Sequence, residues 1–426
     1  MKRLDRTPGF YNKALETMSR KERAKYQDGW LQELMKYAFK NSYGVRKRFE
    51  SAGLKPQDIR TIKDLQGLPV IQKSRLRDIQ AGDLPFGGFL GIPLRKLQRI
   101  FTSPGPIYDP EGKEKSYWRW EKAFYAAGFR KGDIVQNCFA YHLSPGGRMF
   151  EEALVHLGCP VIPAGPGNTD IQVKVMHDLK ATGYVGTPSF LITIVKRAEE
   201  LGYNFKRDFV LKVSLVAAEI LPESMRNELE EGYGITVRQG YGTADAGALG
   251  YECWKKSGMH IPEEVILEIV DPETGKALGP GETGEVVVTI YNKTYPLIRF
   301  GTGDLSLYAD EPCPCGRTSP RLIRILGRVD EVTKVKGMFV HPRQVDELIK
   351  GFPVVSRYQV VVTREEHVDK MTFLLELREE VDRDRLKEEI GRSIRETIKL
   401  RPTIEFVSPG TIPEGEKRIV DKRKWD

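Results

Sequence analysis

Cysteines and long apolar runs are scarce in this chain. Only 5 of its 426 residues are cysteine, and such a small, odd number argues against a disulfide framework and favours a reducing compartment. No apolar run approaches the roughly 18 residues that a membrane span requires. No apolar segment follows the basic residues at the start, as it would in a signal peptide. We therefore expect a soluble, cytoplasmic protein with no membrane partner.

A concentrated patch of one charge is also lacking. The 67 lysines and arginines exceed the 59 aspartates and glutamates by 8, but they form no long basic block. A surplus spread this thinly favours small anionic ligands over a nucleic-acid partner. The composition, 40% apolar and 30% charged, is ordinary for a globular protein, and a chain of this length can bury a large core.

Short apolar runs alternate with amphipathic segments from about residue 132. The runs predict strands, and the segments between them predict helices, at residues 133–138, 147–157, 160–163, 169–179, 184–186 and 212–216. Strands that alternate with helices build parallel βαβ units, so we expect an α/β core. From residue 265 the pattern changes to strands and turns, which predict a small antiparallel sheet beside that core.

The last hundred residues predict a compact α+β domain. Pro342 opens a short helix, and strands follow near residues 359–362 and 372–375. A long helix and a last strand, residues 404–407, complete the pattern. We therefore predict an α/β fold with a large N-terminal domain, residues 1–328, of mostly parallel sheets plus a small β subdomain. A small hinged α+β C-terminal domain would span residues 329–426.

Three segments carry residue types suited to nucleotide chemistry. Residues 239–247 are rich in glycine and include Tyr241, Thr243 and Asp245. Such a segment offers close backbone approach, an aromatic face for a base, a hydroxyl for phosphate and a carboxylate for magnesium. A plain glycine-rich turn is the alternative.

The second segment, residues 299–305, predicts a tight Gly-Thr-Gly turn that presents Asp304 to a ribose diol. A β-turn with a solvated aspartate is the alternative interpretation. The third segment spans residues 327–340 and is followed by Pro342. Each segment is only suggestive by itself, and their order along one chain carries the weight.

In this order the three segments resemble the core motifs of the adenylate-forming enzymes, most of all those of the phenylacetate–CoA ligase family. Residues 49–56, 68–77 and 218–222 resemble further segments of that family, and the likeness covers nearly the whole chain. The resemblance implies that a carboxylic acid attacks ATP to give an acyl-adenylate and pyrophosphate. Coenzyme A then attacks the adenylate and releases AMP, after the small domain has rotated.

The resemblance also implies roles for individual residues. Tyr241 and Gly242 would pack on adenine, and Thr243 would bind phosphate. Further nucleotide or coenzyme A contacts fall on Thr102, Ser103, Gly105, Ala218, Glu219, Asp304, Arg328, Lys334 and Gly337. Asp330 would be the hinge. Residues 140–147 match the strand that lines the acid pocket, which makes the substrate-binding candidates Tyr141, His142 and Gly146.

Attack of a carboxylate on ATP brings two anions together, so a lysine and Mg²⁺ are needed to neutralise charge. The family's lysine corresponds to Lys417, which we take as catalytic together with Asp245 and Thr243. Because the spacing after Gly415 is compressed, Arg418 and Lys422 stay open as alternatives. A solvated basic tail is the remaining interpretation.

Two departures from the family pattern stand out. The phosphate loop is replaced by residues 101–110, in which prolines remove backbone N–H donors, so we expect a weaker or altered grip on phosphate. Asp245 stands where the family usually has glutamate, and a side chain one methylene shorter shifts the magnesium by about an ångström, a displacement that matters for catalysis.

The cysteines form a separate constellation. Cys313 and Cys315 are a tight pair, and Cys253 with His260 lies earlier in the chain. Three sulfurs and one imidazole suit a tetrahedral structural Zn²⁺ site, and some relatives of the phenylacetate–CoA ligases carry such a cluster. Reduced, unliganded cysteines are the alternative.

The leading hypothesis is an ATP-dependent acid–CoA ligase for an aromatic, phenylacetate-like acid. A first alternative is an adenylyltransferase of the same family that acts on the deazaflavin coenzyme F420. A second is a degenerate homologue that binds nucleotide without catalysis, because fold resemblance does not settle function. A homodimer is the assembly that general frequencies favour.

Overall fold

The structure is a computed structural model that describes residues 5–103, 106–329, 333–335, 338–340, 342–365 and 368–423. Its contacts divide the chain into two units. The larger comprises Met1–Thr302 with Ser306–Ile325, and the smaller comprises Gly303–Leu305 with Leu326–Asp426. No helix in the described part of the chain is long and apolar enough to cross a membrane.

The helices of the larger unit lie mostly before and between its parallel strands. The α-helices are α1 (Lys13–Glu16), α2 (Arg20–Asn41), α3 (Tyr43–Ser51), α4 (Lys73–Gly82), α5 (Glu121–Ala127), α6 (Gly146–His156), α7 (Thr169–Asp178), α8 (Pro188–Glu200), α9 (Phe205–Asp208) and α10 (Glu223–Asn227). Short 3₁₀ turns occur at Pro56–Asp58, Ile62–Gly67 and Leu94–Lys96, and a π turn at Glu228–Gly232.

Fourteen strands precede the smaller unit's own sheets in the described sequence. They are β1 (Ile71–Gln72), β2 (Arg99–Ser103), β3 (Ile107–Glu111), β4 (Val135–Asn137), β5 (Val161–Pro163), β6 (Gly183–Gly186), β7 (Val213–Val216), β8 (Thr236–Thr243), β9 (Gly247–Glu252), β10 (Met259–His260), β11 (Val265–Val270), β12 (Gly284–Ile290), β13 (Phe300–Ala309) and β14 (Arg321–Arg328). Strands β2 and β3 form a hairpin of their own, and the others join one twelve-stranded sheet.

Strand β8 joins the parallel and antiparallel halves of the sheet. Its first half, residues 236–239, pairs in parallel with β7, and its second half, residues 240–243, pairs antiparallel with β9. Strands β4 to β7 continue the parallel half with helices between them. The expected α/β core is therefore confirmed, and the antiparallel strands continue the same sheet instead of forming a separate one beside it.

Helix α2 shows why the N-terminal segment is helical. Ser19 and Glu22 form a reciprocal capping box at its start, which satisfies backbone N–H groups that have no partner within the helix. The helix turns a stripe of apolar side chains towards the core, and Leu31, Leu34, Met35 and Ala38 are fully buried. Burying one such large side chain contributes about 1.5–3 kcal/mol.

The smaller unit is the α+β arrangement that the sequence predicts. Strands β15 (Thr333–Val335) and β16 (Met338–Val340) form a hairpin, followed by α11 (Pro342–Ile349), β17 (Val355–Glu365), β18 (Val368–Leu377), α12 (Arg383–Ile398), β19 (Thr403–Val407) and β20 (Ile419–Asp421). The last four strands pair in the order β19-β18-β17-β20. Helix α12 buries the four-residue stripe Leu386, Ile390, Ile394 and Ile398.

Candidate active site

The glycine-rich segment lies where strand β8 changes partners. A plain glycine-rich turn is the alternative interpretation of this segment, but residues 240–243 are the second half of the strand. Trp120, which is 1% exposed, lies directly against this strand. A β-carbon at Gly240 or Gly242 would come within 2.7 Å of the indole ring. A β-carbon at Gly242 would also come within 2.3 Å of the Gly247 carbonyl oxygen. Only glycine fits at both positions. Nothing in the spacing of the sequence singles out Trp120.

Tyr241 and Thr243 point to different partners from this strand. The Tyr241 ring is 9% exposed and belongs to the apolar core, and its hydroxyl lies 3.2 Å from the Thr302 hydroxyl on β13. The Thr243 hydroxyl accepts a hydrogen bond of 3.1 Å from the Ala246 backbone N–H, which closes the turn between β8 and β9. Packing of Tyr241 on adenine and phosphate binding by Thr243 stay predictions.

Asp245 lies in that turn and is part of a buried charged cluster. Its carboxylate Oδ2 lies 2.5 Å from the Lys73 ammonium, and its side chain is fully buried. Lys73 is the first residue of α4, which follows β1, and β1 is held in place by parallel pairing with Phe300 and Gly301 of β13. A second buried carboxyl group also makes a side-chain hydrogen bond with Asp245.

A second carboxyl group, that of Asp109 on β3, lies beside Asp245. Asp109 is 1% exposed. Its burial, followed by the nearby Asp245 charge, holds its pKa well above the usual range. The Ser103 hydrogen bond and the Lys73 charge lower that pKa in part. Sequence reasoning assigned no function to Asp109 or Lys73. Both residues occur inside segments noted above, but no spacing rule relates a residue near position 73 or 109 to position 245.

The segment that replaces the phosphate loop, residues 101–110, lies mostly on the two strands of the β2–β3 hairpin. Thr102 and Ser103 lie on β2, opposite Tyr108 and Ile107 of β3, and Ser103 is buried. Gly105 lies outside the described residues. The Thr102 backbone N–H donates to the Leu143 carbonyl at 2.9 Å, so the structure joins this strand to the segment predicted to line the acid pocket.

That pocket segment, residues 140–147, is not a strand as predicted but a loop that runs from β4 into α6. The Tyr141 hydroxyl accepts a hydrogen bond of 2.7 Å from the Asn137 side chain. Its ring lies over Gly147, where a β-carbon would come within 2.6 Å of it. Gly146 is the first residue of α6, and His142 is exposed.

Ala218 and Glu219 lie in the loop after β7, next to the point where β8 changes partners. Ala218 has a backbone φ of +67°, a left-handed conformation that is uncommon for a residue with a side chain. The Glu219 carbonyl accepts a hydrogen bond of 3.2 Å from the Gln239 side chain. The structure therefore brings this loop to the glycine-rich segment, as both lie at the carboxyl edge of the parallel strands, where α/β sheets bind ligands.

Asp304 and Arg328 form an ion pair within the smaller unit. The Arg328 guanidinium donates to the Asp304 carboxylate at 3.0 Å. The tight Gly-Thr-Gly turn predicted before Asp304 is wrong: these residues belong to the ten-residue strand β13, and only Gly303, with a φ of +77°, departs from extended geometry. A β-carbon there would lie 2.6 Å from the Arg328 guanidinium, so the glycine leaves room for the arginine.

The other predicted residues of the smaller unit are placed only in part. Lys334 lies on β15, whereas Asp330 and Gly337 lie outside the described residues. Lys417 is exposed, just before β20, and its side chain has no ion pair in the described part of the chain. The neighbouring Arg418 is paired with Asp346, so that guanidinium is already engaged.

The cysteine cluster is assembled from two distant segments of the larger unit. The candidate ligand atoms of Cys253, His260, Cys313 and Cys315 all lie within 4.8 Å of one another. The Cys253 and Cys313 sulfurs are 3.8 Å apart, much farther than in a disulfide, and Cys315 Sγ lies 3.4 Å from His260 Nε2. The other His260 nitrogen lies 3.1 Å from the Ser319 hydroxyl. The pKa of the Cys315 thiol is lowered by hydrogen bonds, chiefly by the one with Cys253.

This fold and site belong to a class described by two sequence profiles. The profile of the family described as "AMP-binding enzyme" matches residues 117–292, and that of the "AMP-binding enzyme C-terminal domain" matches residues 337–423. An open conformation of 2-hydroxyisobutyryl-CoA ligase, solved with 2-HIB-AMP and CoA, superposes with a TM-score of 0.87 at 24% identity over 98% of this chain and 97% of that one. At this level of identity, the likeness to the solved ligase shows the fold alone.

Relatives of full length narrow the class to one family. Phenylacetate-coenzyme A ligase of Thermus thermophilus is 31% identical over 97% of this chain and 100% of the relative. The Aromatoleum evansii enzyme of the same name is 30% identical over 91% and 92%, and the Escherichia coli enzyme 29% over 96% and 97%. The chain belongs to the phenylacetate–CoA ligase family of adenylate-forming enzymes.

Proposed function

We propose that this chain is an ATP-dependent, AMP-forming acid–CoA ligase that activates an aromatic, phenylacetate-like carboxylic acid. The observation that carries the proposal is likeness over the full length to several phenylacetate-coenzyme A ligases. The ordered nucleotide motifs, several of which lie at the carboxyl edge of the parallel strands, support it. These relatives give no support to the deazaflavin adenylyltransferase alternative.

ATP binding would use the edge where β8 changes partners. The Ala218–Glu219 loop and the Tyr241–Gly242 backbone would enclose the adenine, and Thr243 with Thr102 and Ser103 would contact phosphate oxygens. Asp304 would accept hydrogen bonds from the ribose hydroxyls, oriented by its ion pair with Arg328. Because positions 240 and 242 are glycine, the backbone of this platform packs directly against Trp120.

The acid would bind beside Tyr141, whose ring is fixed by the Asn137 hydrogen bond and by contact with Gly147. His142 follows Tyr141 in the same loop, and Gly146 begins the helix after that loop. An aromatic wall of this kind favours a flat apolar substrate, which supports an aromatic acid over a short aliphatic one.

The adenylation step joins two anions and needs positive charge. The Asp245 carboxylate offers oxygen ligands suited to Mg²⁺, and bound Mg²⁺ would neutralise charge that develops on the phosphates. Lys417 would supply a second positive charge, since Arg418 is engaged by Asp346. Three expectations stay predictions. They are rotation of the small domain about Asp330, contacts of Lys334 and Gly337 with coenzyme A, and the domain boundary at residue 328.

The proposal is tested by incubating the protein with ATP, Mg²⁺ and a panel of aromatic and aliphatic acids. Without CoA but with hydroxylamine, we expect an acyl hydroxamate, because the nucleophile traps the adenylate. With CoA we expect equal amounts of AMP and acyl-CoA, greatest for an arylacetic acid. ATP binding without pyrophosphate release for every acid would contradict the proposal and favour the degenerate homologue, and hydroxamate without any thioester would remove CoA as the acceptor.

We also propose that Cys253, His260, Cys313 and Cys315 bind a structural Zn²⁺. The donor set of three sulfurs and one imidazole nitrogen is that of closed structural zinc sites, and the distances among the four donors support it. The Ser319 hydroxyl orients the imidazole ring from its far side, as hydrogen-bond partners of zinc-bound histidines do. Zinc here would tie the β9–β10 segment to the loop between β13 and β14.

Metal analysis of the purified protein tests this site. We expect about one zinc per chain, and loss of it together with a lower melting temperature in Cys315→Ser, because structural zinc contributes to folding directly. Cys159→Ala is the matched control, since Cys159 is a buried cysteine outside the cluster and the variant should keep its zinc. Native protein without bound metal, in which the cluster thiols react freely with a thiol reagent, would contradict the proposal.

A further inference from the structure

The segment before α2, residues 9–18, lies on the loop of residues 313–319, which carries two of the four donors of the cysteine cluster. The Thr318 backbone N–H donates to the Glu16 carbonyl at 3.1 Å. The Thr318 hydroxyl donates to the Met18 carbonyl. Two parts of the larger unit that lie far apart in the sequence are therefore joined directly beside the cluster.

Arg317 links this N-terminal segment to the cluster. Its guanidinium donates to the Glu16 carboxylate at 2.7 Å and to the Gly9 carbonyl at 2.8 Å. The guanidinium carbon lies 5.0 Å from the centre of the Phe10 ring. On the other side, the Arg317 backbone N–H donates to Cys315 Sγ at 3.4 Å, and the guanidinium donates to the same sulfur at 3.8 Å. One side chain thus contacts both the N-terminal segment and a candidate metal ligand.

Burial makes this link strong in both directions. Arg317 is 2% exposed and Glu16 is fully buried, and removal of one partner from a buried ion pair leaves a charge without compensation. Residues 9–18 therefore cannot leave the loop without unpairing Arg317 beside Cys315. A metal-bound sulfur carries negative charge, and a hydrogen bond to a charged acceptor is about twice as strong as one to a neutral acceptor. A metal in the cluster would therefore hold Arg317 more firmly than free thiols do.

We propose that Arg317 is a positioning residue through which metal binding by the cysteine cluster and attachment of the N-terminal segment support each other. Metal in the cluster would hold residues 9–18 on the loop of residues 313–319, and loss of the metal would release them. Because coupling between two binding events is reciprocal, the attached segment would raise the affinity for the metal by the same factor. The inference rests on the proposed zinc site and does not depend on the ligase function.

Zinc affinity, measured on the full chain by competition with a chromogenic chelator, tests the coupling from the N-terminal side. Glu16→Gln keeps the shape of the side chain, removes the charge that holds Arg317 and changes none of the four donors. We expect it to raise the zinc dissociation constant by about 10–100-fold, the usual effect of changing residues that support metal ligands. Glu268→Gln is the matched control, because it breaks an equally buried ion pair, with Arg299, and should leave the zinc affinity unchanged.

Amide hydrogen exchange gives a second readout that needs no variant. In the unchanged protein, exchange in residues 9–18 should be slow with zinc and faster after a chelator has removed it. Helix α8 serves as the internal reference, and its exchange should stay the same. In Glu16→Gln, residues 9–18 should exchange fast in both states, because the link through Arg317 is already broken.

Thermal unfolding shows which variants are folded, and exchange in the unchanged protein decides the matter if Glu16→Gln is not. Unchanged zinc affinity in folded Glu16→Gln, or exchange of residues 9–18 that does not respond to zinc, would overturn the coupling and leave the zinc site standing. An equal rise of exchange in α8 would also overturn it, since zinc would then support the whole unit and not this segment. Unchanged protein without any zinc would remove the metal site and the coupling together, whereas the ligase function is judged separately by acyl-CoA formation.

Discussion

Replacing Lys417 by alanine should lower acyl-adenylate formation by roughly 10²–10³-fold, the loss typical when one charge-stabilising donor is removed from an active site. The reason is that the attacking carboxylate and the ATP phosphates repel each other, and Lys417 is the proposed source of positive charge. Thioester formation from a chemically prepared acyl-adenylate should change far less, because its sulfur nucleophile attacks a neutral carbonyl carbon and not a phosphorus of ATP. Pyrophosphate release measures the first reaction, and acyl-CoA appearance measures the second.

Three further substitutions make this result interpretable. Lys387→Ala, at an exposed position on α12 of the same unit, removes an equal charge and should leave both reactions unchanged. Arg418→Ala and Lys422→Ala examine the two alternatives to Lys417. Loss of adenylation in either of them, with full activity in Lys417→Ala, would show that the compressed spacing after Gly415 had shifted the role along the chain.

Gly242→Ala should destabilise the larger unit by about 1–3 kcal/mol, the usual effect of forcing extra volume into a packed site. The new methyl group would lie 2.3 Å from the Gly247 carbonyl oxygen and 2.7 Å from the Trp120 ring. Neither can move easily, because the carbonyl is part of a strand pair and the indole is buried. The distortion falls on the proposed adenine platform, so ATP affinity should fall as well. Denaturant unfolding and calorimetric titration with ATP measure the two effects.

Gly232→Ala is the matched control for that experiment. A β-carbon there would meet nothing within 4 Å, and alanine is favoured over glycine in a helical turn by up to about 1 kcal/mol. We therefore expect unchanged or slightly higher stability and unchanged ATP affinity. Equal stability of the two variants would mean that the β8 backbone yields to a side chain at position 242.

The course of secondary structure could be predicted because local patterns encode it. The stripe on α12 and the alternation of strands and helices between residues 133 and 216 both follow from periodic burial of apolar side chains. The turn predicted around residue 302 was wrong, because glycine indicates backbone freedom and close approach alike. For the same reason the turn offered as the alternative around residue 240 is a strand. At residue 242 the cause is close approach to Trp120, a contact between residues more than a hundred positions apart.

The sequence by itself determined the family, the order of the nucleotide motifs and the set of four possible zinc ligands, because these depend on residue type and spacing. Only the tertiary structure decided which carboxyl group lies beside Asp245, that Lys73 holds it, and that Arg418 is already engaged by Asp346. Such neighbours are chosen by strand pairing and helix placement across the fold. A side chain's charge is written in the sequence, but the burial and the partners that give it a chemical role arise only when distant segments meet.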